Sequence, residues 1–313
     1  INASYQAGVY RLFRNFTGLN DGNYSYRAYV VDAASNMNRT ESRNFSVDTV
    51  APTIAYVEPT VSNNSFINRS FIMVNTSVTE TGESSAFINF NSSLVGYWRF
   101  EDSGHTNSSN VSDFTSNSNN GSLVGFGCLI ADCNLTGGAG GVASGFVSSG
   151  KRGRALAFDG ENDFVNITDA DLLEPSTLTV EAWVRFNSLG TQHQLISKRS
   201  LAAGNVGYQL AKFSSDKLDF MIDLGTPSNS SSSIGAVVAG RWYYVAAAWD
   251  GSTNRMYLDG ALQTVNATDS GSIATTENLY LGRESAGTPF NGSIDEVKVW
   301  NRILNESEIN ASF

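Results

Sequence analysis

The clearest pattern of apolar and polar residues lies between residues 242 and 260. Trp242–Trp249 is apolar almost throughout, which predicts a β-strand that is buried on both faces. Asp250–Asn254 is polar and predicts a turn. Arg255–Leu258 alternates, with Tyr257 on the polar side, and predicts a second strand with one face in water. Asp259-Gly260 closes the hairpin, because glycine supplies the positive φ of such reversals. This hairpin is therefore expected in the core of an antiparallel sandwich.

Similar segments recur along the chain and predict an all-β protein. Six strands are predicted near the N-terminus: Val9–Leu19, Asn23–Asp32, Arg39–Val47, Ile54–Val57, Ser70–Val78 and Ala86–Phe90. Residues 93–308 read as nearly continuous strand, interrupted by polar loops at 103–122, 126–150 and 225–233. The pattern predicts one short helix, Glu306–Ser312, because Asn305 and Glu308 have the spacing of a capping box.

Several of these segments occur in the order found in a known superfamily. Residues Leu94–Asp102, Gly153–Ile167, Leu178–Phe186, Arg241–Gly260, Leu279–Glu284 and Gly292–Ile309 resemble the laminin G-like, concanavalin A-like jelly-roll superfamily. The resemblance implies one jelly roll over residues 93–308, in which the first and last strands are neighbours. It does not choose a function, because the superfamily includes lectins, adhesion modules, structural spacers and glycanases.

The N-terminal segment resembles a different family. Gly18–Asn36 and Phe45–Thr53 are similar to the last strands of immunoglobulin-like modules that occur in tandem on prokaryotic surface proteins. The resemblance implies that residues 1–49 close one such module and that residues 50–92 open the next. Pro52 lies in the link and favours an extended path. The expected fold is thus a jelly-roll sandwich with portions of immunoglobulin-like β-sandwich.

A short repeat joins the two ends of the chain. Ile1-Asn2-Ala3-Ser4-Tyr5 recurs as Ile309-Asn310-Ala311-Ser312-Phe313, and a fixed period indicates an array. Residues 309–313 are therefore predicted to begin the next repeat. In this hypothesis an immunoglobulin-like sandwich carries an inserted jelly roll, and neighbouring copies are head-to-tail partners.

Charge and composition exclude some partners. The formal net charge is −10, which disfavours nucleic acid and anionic lipid as partners. No apolar run is long enough to cross a membrane, so no membrane contact is predicted for this segment.

The sequence is rich in Asn-x-Ser/Thr acceptors, at roughly three times the number expected from composition. They predict N-linked glycans and an extracellular, cell-surface location, as on archaeal cells; turn-forming Asn, Ser and Thr are the alternative explanation. Cys128 and Cys133 are the only cysteines and are predicted to form a disulfide. The acceptors are Asn2, Asn15, Asn23, Asn38, Asn44, Asn63, Asn68, Asn75, Asn91, Asn107, Asn110, Asn120, Asn134, Asn166, Asn229, Asn266, Asn291, Asn305 and Asn310.

Catalytic residues are not expected. Glycanases on this fold place two carboxylates at alternate positions of one strand. Glu181 has no such partner, and Asp219 and Asp223 flank the apolar Met221. His105 and His193 lie in polar segments and are expected to be solvated surface residues. The chain is therefore predicted to be non-enzymatic.

Calcium is the one cofactor that the sequence suggests. Ca²⁺ prefers six to eight oxygen ligands, often on a turn that contains glycine. The alternative is that Asp159 and Asp163 only hydrogen-bond their own turn. The candidate ligands for a structural calcium ion are Glu101, Asp102, Asp159, Asn162, Asp163 and Asp295.

Carbohydrate binding would need exposed aromatic side chains, and the sequence does not select them. Most of the tryptophans (Trp98, Trp183, Trp242, Trp249, Trp300) are expected in the core. Looser candidates are Tyr208, Tyr243, Tyr257 and Phe290. The predicted function is a structural or adhesive module of a surface stalk or filament; the alternative is a lectin-type module that binds extracellular glycans.

Overall fold

The computed structural model describes two compact units, residues 1–86 and 87–313. It describes residues 2–6, 9–80, 86–101, 109–127, 144–200, 206–225, 228–231, 237–268, 270–284 and 288–313, with side chains from residue 14 onward except at 226–236. The sequence placed the corresponding boundary at residues 92 and 93. No helix in these ranges is long and apolar enough to cross a membrane.

The smaller unit consists of two-stranded antiparallel sheets with little packing between side chains. Among residues 14–80 no side chain is buried, and Tyr24 stacks on Phe45 across one sheet at a centroid distance of 5.4 Å. Isolated two-stranded sheets are only marginally stable in water. The four described pairs are β1 (Asn2–Gln6) with β2 (Val9–Phe13), β3 (Gly22–Tyr26) with β6 (Arg43–Val47), β4 (Tyr29–Val31) with β5 (Met37–Arg39), and β7 (Thr53–Tyr56) with β8 (Thr76–Thr79).

One strand predicted near the unit boundary is wrong. Residues 86–89 have no regular structure, and Phe90–Ser92 forms a 3-10 helix. Phe87 explains the difference, because its ring packs edge-to-face on Tyr97 and on Trp300, each at 5.7 Å. Residues 87–92 thus pack on the larger unit instead of extending a sheet of the smaller one.

The larger unit is a sandwich of two eight-stranded sheets, which we call the front sheet and the back sheet. The front sheet has the order β10 (Asn110–Val111), β11 (Gly121–Val124), β14 (Phe164–Ile167), β23 (Leu279–Leu281), β16 (His193–Arg199), β17 (Val206–Lys212), β18 (Leu218–Leu224) and β19 (Ser228–Ser231). The edge strands β10 and β19 lie in segments predicted as loops, and their polar composition explains the error.

The back sheet contains the longest strands. Its order is β12 (Gly145–Val147), β13 (Ala155–Asp159), β24 (Asn291–Trp300), β15 (Leu178–Phe186), β20 (Trp242–Trp249), β21 (Thr253–Leu258) and β22 (Ala261–Ala267), with β9 (Leu94–Trp98) paired to β24. The first and last strands are therefore neighbours, as predicted from the jelly-roll resemblance.

The main hydrophobic core lies between the two sheets. It contains Trp98, Phe158, Phe220 and Trp249, all with 0% exposure. Burial of one large apolar side chain contributes about 1.5–3 kcal/mol to stability. Glycine is needed beside one of these rings: a Cβ on Gly96, which lies on the same strand as Trp98, would be 2.4 Å from the Trp98 ring.

The hairpin predicted between residues 242 and 260 forms, with one correction. Strands β20 and β21 pair antiparallel, and Ala246, Ala247 and Ala248 are fully buried. The prediction that Tyr257 faces water is wrong, because its side chain is only 2% exposed. It belongs to a second apolar cluster on the outer face of the back sheet, together with Trp183, Tyr244 and Ile309.

The predicted helix is confirmed as α1 (Glu306–Ser312). Asn305 accepts a hydrogen bond from the Glu308 backbone N–H, and the Glu308 side chain accepts one from the Asn305 N–H, which completes the capping box. Helix α1 covers the outer face of the back sheet, where Ile309 is buried. The segment 309–313, assigned from the repeat to the next copy, thus packs here against its own jelly roll.

Candidate functional site

One row of mostly polar residues crosses the whole front sheet. Each member is the direct cross-strand partner of the next, and with strands about 4.8 Å apart the row spans about 34 Å. We call it the polar row. In order across the sheet it contains Asn110, Ser122, Asn166, Tyr280, Ser197, Gln209, Met221 and Asn229.

The polar row lies on the face that points away from the core. Side chains alternate along a strand, and the strand neighbours of Gln209, Tyr208 and Leu210, are in the core. The same holds for Tyr280, which lies between the core residues Leu279 and Leu281. The central part of the row therefore lies on the outer face of the sheet, where Asn166 and Tyr280 are half-buried and Ser197 and Gln209 are buried, with 0% and 3% exposure.

Beside the polar row, an arginine reaches across a glycine to an aspartate two strands away. Gly207 is the cross-strand partner of both Arg199 and Asp223. The Arg199 guanidinium lies over this position and contacts Asp223 Oδ2 at 3.1 Å from Nη2 and 3.2 Å from Nε. Glycine is required at 207, since φ is +142° and a Cβ would lie 2.0 Å from the Lys198 carbonyl oxygen.

Glu284 connects this ion pair to the polar row. The Gln209 amide donates a hydrogen bond to Glu284 Oε2, and the same oxygen lies 3.8 Å from Arg199 Nη1. Charged hydrogen bonds of this kind hold side chains in fixed positions. The four side chains Arg199, Gln209, Asp223 and Glu284 thus form a preorganised network.

The Ser197 hydroxyl, near the centre of the row, lacks a hydrogen-bond partner. Ser197 is fully buried. Its cross-strand neighbours are Tyr280 and Gln209. A buried hydroxyl without a partner is costly, so this position can gain stability from an additional polar group.

An aromatic pair adjoins the row. Phe164 and Tyr280 are in an edge-to-face arrangement with centroids 6.0 Å apart, and both are half-buried. The Arg283 guanidinium lies 4.4 Å from the Phe164 ring centroid. Burial raises the pKa of the Tyr280 hydroxyl. Its phenol therefore stays protonated at neutral pH and can donate a hydrogen bond.

The aromatic candidates from the sequence do not take part in this surface. Tyr208, Tyr243, Tyr257 and Phe290 are each no more than 2% exposed. Tyr208, Tyr243 and Phe290 face the core, and Tyr257 lies in the cluster beneath α1. The expectation for the tryptophans is confirmed, since Trp98, Trp183, Trp249 and Trp300 are buried.

The acidic residues considered for catalysis lie on two strands, one in each sheet. Glu181 is buried on the back sheet, where Trp300 and Ser312 donate to its Oε1 and Tyr244 to its Oε2. Asp219 and Asp223 are both buried on β18, and Asp223 pairs with Arg199. Each of these carboxylates has polar partners.

The expectation that His193 is solvated is wrong. Its ring is 4% exposed; Nε2 lies 2.9 Å from the Thr191 hydroxyl, and Nδ1 lies 3.1 Å from the Pro289 carbonyl oxygen. Burial lowers its pKa, and nearby Lys212 lowers it further. His193 is buried because it begins strand β16, where it is the cross-strand partner of Lys212, and because its ring packs on Phe290.

Two of the predicted calcium ligands come together at the end of β9. The backbone N–H of Arg154 donates to Glu101 Oε1 at 2.7 Å, and that of Arg152 donates to Asp295 Oδ2 at 2.9 Å. Asp295 is fully buried, and its Oδ1 has no hydrogen-bond partner. Burial raises its pKa to about 8, and the nearby Glu296 and Glu101 carboxylates add to the shift. A cation here would give Asp295 Oδ1 a partner and would favour the ionised form of the carboxylate.

The other predicted ligands lie at a different turn. Asp159 pairs with Asn291, four residues along β24 from Asp295. Asp163 Oδ2 accepts from the Asp159 N–H, and Asp159 Oδ1 accepts from the Glu161 N–H, as expected if these carboxylates hold their own turn. Asn162 is exposed in the same turn. In the described ranges no three His, Cys, Asp or Glu side chains are placed to hold a metal.

Most predicted glycosylation acceptors have exposed side chains. Asn166 and Asn291 are half-buried. Asn166 belongs to the polar row, and Asn291 does not. The backbones of Asn2 and Asn229 lie in strands. The exposed acceptors are Asn15, Asn23, Asn38, Asn44, Asn63, Asn68, Asn75, Asn91, Asn110, Asn120, Asn266, Asn305 and Asn310. Outside the described residues are Cys128, Cys133, Asp102, His105, Asn107 and Asn134.

Comparison with known proteins supports the fold. The family model described as the concanavalin A-like lectin/glucanases superfamily matches residues 159–310. No curated protein sequence matches the chain.

Solved structures with the same fold have low sequence identity to this chain. Domain 4 of an extracellular family 43 arabinanase from Geobacillus stearothermophilus, solved with arabinotriose, is 18% identical at a TM-score of 0.51; the match covers 70% of this chain and 98% of that one. The binding domain of Paraclostridial mosquitocidal protein 1 is 15% identical at 0.51, with 70% and 51% coverage. That of botulinum neurotoxin serotype G is 11% identical at 0.51, with 70% and 50% coverage.

This chain thus spans about half the length of the two toxin domains that it matches. At these identities the likeness establishes the fold alone. The chain is all-β, and its larger unit has the jelly-roll fold of the concanavalin A-like superfamily.

Proposed function

We propose that the larger unit is a non-catalytic module that binds carbohydrate on the outer face of its front sheet. The polar row carries this proposal, because it places Asn166, Tyr280, Ser197 and Gln209 side by side on adjacent strands. Ligand sites combine a few fixed polar groups with apolar surface. The row provides both, with the Phe164–Tyr280 pair as the aromatic part.

The chemistry of the network suits sugar hydroxyls. Neighbouring hydroxyls of a sugar can each donate and accept, and Gln209, Glu284 and Arg199 offer an amide, a carboxylate and a guanidinium within one hydrogen-bonded group. The length of the row fits an extended oligosaccharide better than a single sugar.

The arabinanase domain supports this assignment, since its structure was solved with arabinotriose. A short neutral oligosaccharide is therefore the first ligand to test. We also propose an extracellular location, which the many Asn-x-Ser/Thr acceptors and the extracellular arabinanase favour.

The test is calorimetric titration with arabinotriose and a panel of neutral oligosaccharides. Gln209→Ala removes the amide beside Ser197 and should weaken binding about tenfold or more, as expected for a hydrogen bond to a charged network. Gln263→Ala is the matched control, because Gln263 lies on the back-sheet strand β22. Equal affinities of the two variants, or no binding by the parent chain, would contradict the proposal.

A second proposal is that the chain is one unit of a head-to-tail structural array in a surface stalk or filament. Two observations favour it: the repeat of residues 1–5 at 309–313, and a smaller unit without a buried side chain among residues 14–80. Sheets with exposed apolar faces gain stability when a neighbour covers them. Electron microscopy of the native surface protein should show beads at a regular spacing; isolated particles would contradict it.

We propose Glu101 and Asp295 as the position of a structural calcium ion. Carboxylate oxygens are the ligands that Ca²⁺ prefers, and Asp295 Oδ1 is buried without a hydrogen-bond partner. Backbone carbonyls and water would supply the remaining ligands. Such an ion would fix the loop that contains Arg152 and Arg154, since their N–H groups bind the same two carboxylates.

A further inference from the structure

Helix α1 is held on the back sheet by a specific set of contacts. We call the surface beneath it the docking surface, formed by Glu181, Trp183, Tyr244, Tyr257 and Trp300. All five of these side chains are buried in the presence of the helix. The last residues of the chain therefore close the outer face of the sandwich.

Three side chains of the segment 309–313 make the principal contacts. Ile309 is fully buried in the aromatic cluster. The Ser312 hydroxyl donates to Glu181 Oε1 at 3.3 Å. Phe313 stacks on Trp183, with centroids 5.5 Å apart and planes at 25°, and also contacts Tyr244 at 5.9 Å. The remaining side chain of the segment with a close neighbour is Asn310, whose Oδ1 lies against Gly260.

The sequence of residues 1–5 repeats every one of these positions. Ile1, Asn2 and Ser4 are identical to Ile309, Asn310 and Ser312, and Tyr5 replaces Phe313 with another aromatic ring. Phe313 is 47% exposed, so the additional hydroxyl of a tyrosine has room to reach water. The N-terminal segment thus has the chemistry that the docking surface binds.

We propose that residues 1–5 are a second docking segment, and that they close the jelly roll of another copy of this chain. This inference deepens the proposed head-to-tail array and is independent of carbohydrate binding. In this assignment the Ile-Asn-Ala-Ser-aromatic segment belongs to the end of a jelly roll. Residues 309–313 are then the last part of one repeat and not the first part of the next.

The present conformation of residues 2–6 does not oppose this change. They form strand β1, paired only with β2 in a two-stranded sheet, which is a marginally stable arrangement. In a chain where Glu308 of one copy precedes Ile1 of the next, the Asn305–Glu308 capping box lies directly upstream. It would start the same helix, and the segment would then be shared between the two copies without a linker.

The test is a two-copy chain in which Glu308 of the first copy is followed directly by Ile1 of the second. Its junction peptide differs from the C-terminal peptide of the second copy, so hydrogen exchange can follow it separately. We expect the junction amides to be protected as strongly as those of α1 in the single chain. Exchange as fast as that of residues 2–6 in the single chain would overturn the inference.

A pair of junction variants makes the test specific. Ile1→Asp at the junction should lower the melting temperature of the first jelly roll by about 6 °C or more, because it places a charge at the buried Ile309 position. Ala3→Asp is the matched control, since the equivalent Ala311 is exposed. Equal effects of the two variants would show that the segment does not dock. Oligosaccharide binding by the front sheet should be unchanged in both.

Discussion

Lys298 Nζ lies 3.1 Å from Glu181 Oε1, and both side chains are buried on the outer face of the back sheet. The pair lies on adjacent strands, where Glu181 and Lys298 are direct cross-strand partners. Trp300, Ser312 and Tyr244 complete the hydrogen bonds of the carboxylate. The Lys298 ammonium also lies 5.1 Å from the Phe87 ring centroid and 5.2 Å from that of Tyr97. A buried ion pair thus joins the last strand, helix α1 and residue 87.

The first prediction concerns this pair. Glu181→Leu leaves the Lys298 charge buried without its partner and should lower the free energy of unfolding by about 3–5 kcal/mol. Adding Lys298→Met should restore part of the loss, because no buried charge then remains, while the Trp300, Ser312 and Tyr244 donors stay without their acceptor. Denaturant titration of the two variants measures the difference. A double variant that is no more stable than Glu181→Leu would contradict the interpretation.

The second prediction concerns pH and His193. Burial and the Lys212 charge lower its pKa below the usual value near 6.5, while Asp216 and the Pro289 carbonyl act in the opposite direction. Below about pH 6.5 the unfolded chain therefore binds more protons at this position, and its contribution to stability falls as pH falls.

His193→Gln removes this titration, so its stability relative to the parent should improve steadily between pH 7 and pH 5. Denaturant titration at each pH gives the difference, in which the carboxylates common to both proteins cancel. A difference that does not change with pH would show that His193 titrates normally.

The third prediction concerns calcium at Glu101 and Asp295. Saturating Ca²⁺ at about 100 times its Kd should stabilise the folded chain by about 2.7 kcal/mol, and a chelator should reverse the effect. For a unit of this size that corresponds to a melting shift of about 5–10 °C. Asp295→Asn should abolish the shift, and Asp159→Asn, at the other turn, should preserve it. The absence of a melting shift in the parent chain would contradict calcium binding at this position.

The fourth prediction concerns the acceptor Asn166. Its Oδ1 accepts a hydrogen bond from Asn278 Nδ2 at 2.8 Å, and a glycan on its Nδ2 would stand on the polar row. Chains glycosylated at Asn166 should therefore be absent from the fraction that binds oligosaccharide. Site-resolved mass spectrometry of bound and unbound fractions tests this.

Two variants control for glycosylation elsewhere. Thr168→Ala prevents glycosylation at Asn166 but keeps the Asn166 side chain, and should increase the bound fraction. Ser307→Ala removes the acceptor at the exposed Asn305 and should leave the bound fraction unchanged. Equal glycan occupancy at Asn166 in the bound and unbound fractions would contradict the proposed position of the ligand.

Local sequence was sufficient for elements whose signals lie within a few residues. The hairpin β20–β21 and the capping box of α1 form as their patterns predict. The order of the jelly-roll segments also predicted that β9 and β24 are neighbours. The strand predicted at Ala86–Phe90 failed, because contacts of Phe87 with Tyr97 and Trp300 outweighed its local preference.

The sequence alone determined that this protein is an all-β sandwich, because the strand period and turn residues are properties of short segments. Only the tertiary structure decided which polar side chains share a surface. Asn166, Tyr280, Ser197 and Gln209 are far apart in sequence and become neighbours through strand register. Burial of Tyr257 and His193 likewise depends on elements that pack over them from elsewhere in the chain, and no local pattern specifies such contacts.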